Sequence, residues 1–257
     1  MVFNTDAIVI RTTAYGENHV IVTLLTPSGK LAVMARGGKR PQSRFVSAIQ
    51  LGVEGVYSIR RGKGMGTLLQ AEVTHSRRRL REHLELAAYA AYFSEQCTRI
   101  AEDAPDGSEA LYRLLQGALE RLVQHPDEAS LTSLAWEAKV VRWLGVGPPW
   151  IACVLCGQSL IGGETPAPRE IAYSGAHGGL LCSTCAQAQA EHLQLLFLPS
   201  SLARVLEQFA TVPWPRMGRI KLSAASQKSL RTLLRHQLSE YAGLSVKSAR
   251  FLDSLDL

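Results

Sequence analysis

Up to about residue 78, apolar positions come in short runs rich in β-branched residues. The runs are residues 7–11, 20–26, 31–36, 51–59 and 68–74. Turn residues separate them: Tyr15-Gly16-Glu17-Asn18, Pro27-Ser28-Gly29, Gly37-Gly38 and Arg61-Gly62-Lys63-Gly64. Runs of that length and content between such turns predict strands. Five strands in so short a stretch predict a small barrel, because closing the sheet removes its exposed edges. An OB-fold fits the count, and an SH3-like barrel fits it nearly as well.

The period changes near Leu80. Leu80, Leu84, Ala87, Ala88, Ala91 and Glu95 follow helical spacing in Ala-rich sequence. A second helix is predicted over 108–123, with Leu111, Leu114, Leu115, Ala118, Leu119 and Leu122 as its apolar stripe and Ser108 at its start. A third is predicted over 126–144, with Leu131, Leu134, Ala135, Ala138, Val141 and Leu144 inward and Gly145 and Gly147-Pro148-Pro149 stopping it. Residues 188–212 and 223–242 are expected to be helical, broken by Pro213-Trp214-Pro215. The pattern divides the chain into a barrel domain (1–79), a helical domain (80–150 and 188–257) and a module between them (151–187). The fold class is α+β and multidomain.

That module holds Cys153-Val-Leu-Cys156-Gly and Cys182-Ser-Thr-Cys185. A CxxC turn can aim two thiolates at one point, and two such turns complete a tetrahedron, which suits zinc. Four thiolates leave no open coordination position, so Cys153, Cys156, Cys182 and Cys185 are read as ligands of one structural Zn2+. Gly162-Gly163, Gly175 and Gly178-Gly179 suggest short hairpins between the pairs. His177 and His192 are read as solvated, and Cys97 as a small buried side chain.

Charge adds a second pattern. The whole chain carries a net charge of +6 and a sequence pI of about 9.2. Residues 30–81 hold twelve Lys or Arg against Glu54 and Glu72, a surplus of ten, which leaves −4 for the rest. A positive field so concentrated is the footprint expected for phosphates. No P-loop, GxSxG or HExxH motif is present, and the glycines at 62, 64 and 66 read as a charged hairpin turn. With no nucleophile, base and orienter to assemble, the expectation is a protein that is not an enzyme. Nothing reads as a signal peptide or a membrane span, and paired thiols without an export signal suggest the cytoplasm.

Several of these pieces resemble the bacterial recombination mediator family RecO. The resemblance runs through Thr5-Asp-Ala-Ile-Val-Ile-Arg11, Tyr15-Gly-Glu17, Ile21-Val-Thr-Leu-Leu-Thr26, Ala35-Arg-Gly-Gly-Lys-Arg40, Ser43-Arg44, Gly62 to Gly66 and Leu68-Leu-Gln-Ala-Glu72. It continues in Trp136-Glu-Ala-Lys139, Leu144-Gly145, the two cysteine pairs, Gly178-Gly-Leu-Leu-Cys182 and Lys247-Ser-Ala-Arg250-Phe-Leu252. His19 departs from the family pattern. The resemblance implies an N-terminal OB-fold β-barrel and an α-helical domain with an inserted four-cysteine zinc-binding module. It also implies binding of single- and double-stranded DNA and annealing of complementary strands. Family members act with RecR to help RecA replace the single-strand DNA-binding protein on gaps, and they bind that protein's acidic C-terminal tail. Nucleoid association in the cytoplasm follows from the same resemblance.

On this reading Arg36, Lys39, Arg40, Arg44, Arg60, Arg61 and Lys63 are the DNA-binding candidates, because they surround the loops after the third and fourth strands. Tyr57 and Phe45 are the nearest aromatics, both expected in the core. Arg77-Arg-Arg79 and Arg81 would extend the track or solubilise a helix start, and Lys247 and Arg250 are a further candidate patch. Arg121, Lys139 and Arg142, cations beside apolar helix faces, are the candidates for the acidic tail. A zinc-ribbon factor that binds RNA or polymerase is the alternative that barrel and charge also suit.

Overall fold

The computed structural model describes residues 1–62, 64–103, 108–162 and 169–255. The chain forms two compact units, one of Met1–Ala129 with Val246–Leu257 and the other of Ser130–Ser245.

The first unit starts with five strands: β1 (Val2–Tyr15), β2 (His19–Thr26), β3 (Gly29–Ala35), β4 (Glu54–Arg60) and β5 (Gly66–His75). They close into a barrel of order β1-β2-β3-β5-β4, the small Greek-key barrel of an OB-fold. β1 is long because it serves two neighbours. Its first half pairs with β4 (Val2↔Arg60 to Ile8↔Glu54) and its second half with β2 (Ile8↔Leu25 to Tyr15↔His19). An irregularity between Val9 and Arg11 re-aims the strand where the partner changes. β3 and β5 close the barrel through a short parallel seam, with Val33↔Gly66 and Met34↔Thr67 in register. Alternate residues point inward, as the sequence pattern predicts. Val20, Val22, Leu24, Val33, Ile59 and Leu68 are buried, with Phe45, Ile49 and Val53 from the β3–β4 connection in the same core. Each such aliphatic side chain contributes about 1.5–3 kcal/mol on burial. Gly55 is required by close approach: a Cβ there would stand 2.2 Å from the Glu72 carbonyl oxygen across the β4–β5 ladder.

Among the described residues, four α-helices belong to this unit: α1 (Arg79–Glu82), α2 (Leu84–Asp103), α3 (Ser108–Gln124) and, after the second unit, α8 (Lys247–Ser254). The predicted α3 stripe is buried at Leu111, Leu115, Ala118, Leu119 and Leu122. A polar network ties β4 to α3. The buried Glu54 carboxylate accepts from Arg77 Nη2 at 2.5 Å, Tyr112 Oη at 2.9 Å and Gln116 Nε2 at 2.5 Å. Burial opposes ionisation of Glu54, but Arg77 and the hydrogen bonds from Tyr112 and Gln116 outweigh it and hold the carboxyl below its ordinary value. Arg77 also donates Nη1 to the Gly52 carbonyl at 3.0 Å and sits at φ 39°, left-handed backbone that a non-glycine residue occupies only when neighbours over-determine it. At the other end of the unit, the Glu95 carboxylate accepts from the backbone N–H of Lys247 (3.2 Å) and Ser248 (2.9 Å) and from the Ser248 hydroxyl (2.6 Å). It thereby caps the otherwise unpaired amides that start α8.

The second unit opens with α4 (Ala129–Trp143), in which residues 132–141 are all buried. A helix covered on every side belongs in a core. A three-stranded sheet follows in order β7-β6-β8, from β6 (Glu170–Ser174), β7 (Gly179–Leu181) and β8 (Leu195–Pro199). The helix α5 (Ser183–Gln189) packs on β6 and β7, α7 (Ala224–His236) packs on β8, and α6 (Ser201–Thr211) lies against α7. The expectation of one helix over 188–212 is corrected here, because β8 interrupts it and pairs antiparallel with β6 from Glu170↔Pro199 to Ser174↔Leu195. The run Leu193 to Leu198 is apolar enough for either period, and a partner more than twenty residues upstream decides it. Among the described residues no helix is long and apolar enough to cross a membrane.

Candidate nucleic-acid interface and cysteine centre

Met34 on β3 pairs with Thr67 on β5, and Thr67 pairs with Arg60 on β4. The β3–β4 connection leaves just past this row, and so does the β4–β5 turn. β3 runs parallel to β5 and β4 antiparallel to it, so the two segments depart in opposite directions and flank the short β3–β5 seam. Arg36, Lys39, Arg40 and Arg44 are exposed on the first segment, and Arg60 and Arg61 at the second. Lys63 lies outside the described residues.

Local contacts order the first segment. The backbone N–H of Lys39 donates to Asn18 O at 3.1 Å and its Nζ to Gly16 O at 2.9 Å, which binds the loop to the β1–β2 turn. His19 Nδ1 accepts from the Gly37 N–H at 3.0 Å and so anchors the loop's first turn. Arg44 donates to Leu69 O at 2.7 Å, and its guanidinium lies 4.9 Å from the Phe45 ring centroid. Arg61 is 5.7 Å from the Phe3 ring. Cations placed in this way lose less side-chain freedom when they meet an anion.

Tyr57 and Phe45 are 1% and 5% exposed, inside the barrel as expected. The aromatic that sequence reasoning passed over is Tyr15, 54% exposed at the end of β1 and beside the Gly16 carbonyl that Lys39 holds. Its signal was positional: an aromatic next to a turn whose partner loop is basic.

In the run from Arg77 to Arg81, Arg77 is buried, while Arg78, Arg79 and Arg81 are exposed and each has an acceptor in the fold. Arg77 is buried on Glu54, Arg78 pairs with Glu82 at 2.7 Å, Arg79 donates to Val123 O near the end of α3 at 3.2 Å, and Arg81 donates to Ser76 O at 3.0 Å. Lys247 and Arg250 are exposed on α8. Of the cations considered for an acidic tail, Arg121 is buried and meets Glu128 at 2.7 Å. Lys139 is 8% exposed and donates to the Val212 carbonyl, with its Nζ 5.1 Å from the Trp214 ring. Burial, aided by Arg142, lowers the Lys139 ammonium to about 8. Arg142 is exposed.

The four cysteines converge in the second unit. The Sγ atoms of Cys153, Cys156, Cys182 and Cys185 all lie within 4.8 Å of one another, with Cys156 and Cys182 3.7 Å apart. Thiolates about 2.3 Å from a shared tetrahedral ion would be roughly 3.8 Å apart, so the set fits a metal. Two turns produce the convergence. In the first, Gly157 N–H donates to Cys153 O at 2.8 Å, with Gly157 at φ 76°. In the second, Cys182 stands at the start of α5 and its Sγ accepts the Cys185 N–H at 3.5 Å. Burial opposes ionisation of Cys153, but backbone N–H groups around it bring the thiol to about 7. Burial and the neighbouring sulfurs push Cys185 up to about 12. Sulfurs that resist ionising side by side are the arrangement a divalent cation would complete.

Comparison with known proteins agrees along the length of the chain. A family model described as "Recombination protein O N terminal" matches residues 1–77, and one described as "Recombination protein O C terminal" matches residues 81–250. A protein named DNA repair protein RecO from Exiguobacterium sibiricum is 36% identical over 256 residues, 99% of this chain and 98% of the relative. Proteins of the same name from Bacillus mycoides and Bacillus cytotoxicus are 33% and 34% identical over 252 residues, 98% of this chain and 96% of each relative.

Proposed function

The chain belongs to the recombination protein O family of DNA repair proteins, and on that premise we propose that it is a non-enzymatic mediator that binds single- and double-stranded DNA and anneals complementary strands. With RecR it helps load RecA onto gaps coated by the single-strand DNA-binding protein. The observation that carries the reading is the set of exposed cations on both sides of the β3–β5 seam, Arg36, Lys39, Arg40 and Arg44 on one and Arg60 and Arg61 on the other. Lys63 belongs to the same set by sequence. Cations there neutralise phosphates and release counterions, which gives affinity without base readout. A strand held by its backbone keeps its base edges free to pair, and the lowered charge reduces repulsion of the incoming complement. Tyr15 adds a ring on which a base can stack.

The test is charge reversal at Arg36, Lys39 and Arg40 together. Loss of three phosphate contacts should flatten the salt dependence of single-strand binding by about two logarithmic units per decade of salt. ATP-independent annealing of complementary oligonucleotides should fall with it. Unchanged binding by the folded variant would remove this surface.

Cys153, Cys156, Cys182 and Cys185 hold one Zn2+ in a closed structural site on this reading, and the ion supplies cross-linking of the two CxxC turns rather than chemistry on DNA. Cys156→Ser should lower the metal content from one zinc per chain and reduce the thermal stability of the second unit while the barrel still binds DNA. A fully folded Cys156→Ser chain that had lost only DNA binding would contradict the structural role. For the acidic tail of the single-strand DNA-binding protein, Arg142 is the accessible member of the set formed with Arg121 and Lys139.

A further inference from the structure

The net of −4 outside residues 30–81 conceals a second basic segment. Between Glu207 and Glu240 the sequence has Arg216, Arg219, Lys221, Lys228, Arg231 and Arg235 and neither Asp nor Glu. Charged surface runs usually intersperse both signs, because like charges brought together by folding repel. A segment that keeps one sign retains a field for something outside the chain.

The six cations differ in exposure. Arg231 and Arg235 are half-buried on α7, where Arg231 donates to the Ser130 hydroxyl at 2.9 Å and Arg235 stands 3.6 Å from the buried Glu137 carboxylate. They hold the unit together. The other four face solvent. Arg216 ends a short turn (Trp214–Arg216), and residues 217–222 then run without regular structure to Ser223. Along that run Met217 is buried and Ile220 and Leu222 are half-buried, while Arg219 and Lys221 are exposed. The apolar positions fix the segment to the unit and turn the cations outward. Gln227 Nε2 donates to Leu222 O at 3.1 Å, and Ser223 Oγ accepts the Ser226 N–H at 3.2 Å. These two bonds hold the end of the run against the first turns of α7, where the exposed Lys228 follows.

We propose that Arg216, Arg219, Lys221 and Lys228 form a second nucleic-acid backbone site, carried by the unit of Ser130–Ser245. Its ligand is a single strand, held by its phosphates and with no base preference. The inference rests on the annealing reading above and extends it: one chain would hold two strands at once, one on each unit. Four engaged phosphates correspond to a salt slope of about 2.8 on a single strand, or roughly a 50-fold loss of affinity between about 50 and 200 mM salt.

The test counts strands on the full chain. Two short oligothymidines carrying different dyes cannot pair with each other, so their joint uptake reports sites and not annealing. The natural chain should bind two per molecule. The quadruple variant Arg216→Glu, Arg219→Glu, Lys221→Glu, Lys228→Glu should bind one, as should the barrel variant at Arg36, Lys39 and Arg40. Circular dichroism and zinc content report whether the second unit stays folded, and a milder set of four Gln substitutions should remove the salt-steep second binding step alone. Two oligonucleotides on a folded quadruple variant would overturn the proposal. So would a single oligonucleotide on the natural chain that the barrel variant abolishes, a result that leaves the barrel reading intact. A natural chain that binds neither overturns both.

Discussion

Four cations stand within residues 36–44 and four within residues 77–81. In the first group all four side chains are exposed, and the carbonyls that Lys39 and Arg44 hold fix the loop without neutralising it. In the second group Arg77 is buried on a carboxylate and Arg78 is matched by Glu82, while the exposed Arg79 and Arg81 reach backbone carbonyls as Lys39 and Arg44 do. Equal numbers of cations therefore serve different purposes. A buried cation matched by a carboxylate, as Arg77 is, contributes to stability, and an exposed cation that meets only carbonyls keeps its charge available to a polyanion.

Substitutions can separate the two purposes. The largest effect on stability should come from Arg77→Ala, which leaves the Glu54 carboxylate buried without its counter-charge. Removing one partner of a buried pair typically costs about 3–5 kcal/mol. Chemical denaturation should show a loss of that order, and a change below about 1 kcal/mol would mean that water replaces the guanidinium. Acid should expose the same pair next. The folded-state value of Glu54 lies below its ordinary 4.5, so its contribution is complete above that pH and declines as the pH falls through the lowered value. Glu54→Gln should be less stable than the natural chain at neutral pH and lose less on acidification, and parallel curves for the two proteins would refute the assignment. The smallest effect on stability belongs to the surface group. Charge reversal at Arg36, Lys39 and Arg40 should move the unfolding free energy by no more than about 0.5 kcal/mol while it weakens DNA binding. A collapse of stability there would erase the contrast between the groups.

The same contrast explains what could be read in advance. The barrel strands were legible because turn residues bracket alternating runs, and the length of β1 was not, because its ends are exposed and lack an apolar face. The cysteine centre was legible because two local turns define it. β8 was hidden, since its identity depends on β6 and not on its own residues. For the cations, sequence reports charge but not acceptors. Arg77 and Arg121 look like Arg36 until Glu54 and Glu128 are in place. The run from Arg216 to Lys228 was missed because a net sum over the remainder of the chain cancels it against distant acids.

The cap on α8 has a consequence for synthesis. Glu95 and the Lys247 amide it accepts are 152 residues apart in sequence. A ribosome adding about 5–20 residues per second needs about 8–30 s to cover that distance. During the interval the whole of the second unit is synthesised, while the barrel unit still lacks its last helix. A chain released at Ser245 would therefore present a complete second unit and a first one without α8. The region made earliest is completed last, and a protease added to the chain released at Ser245 should cut α2 before it cuts α4.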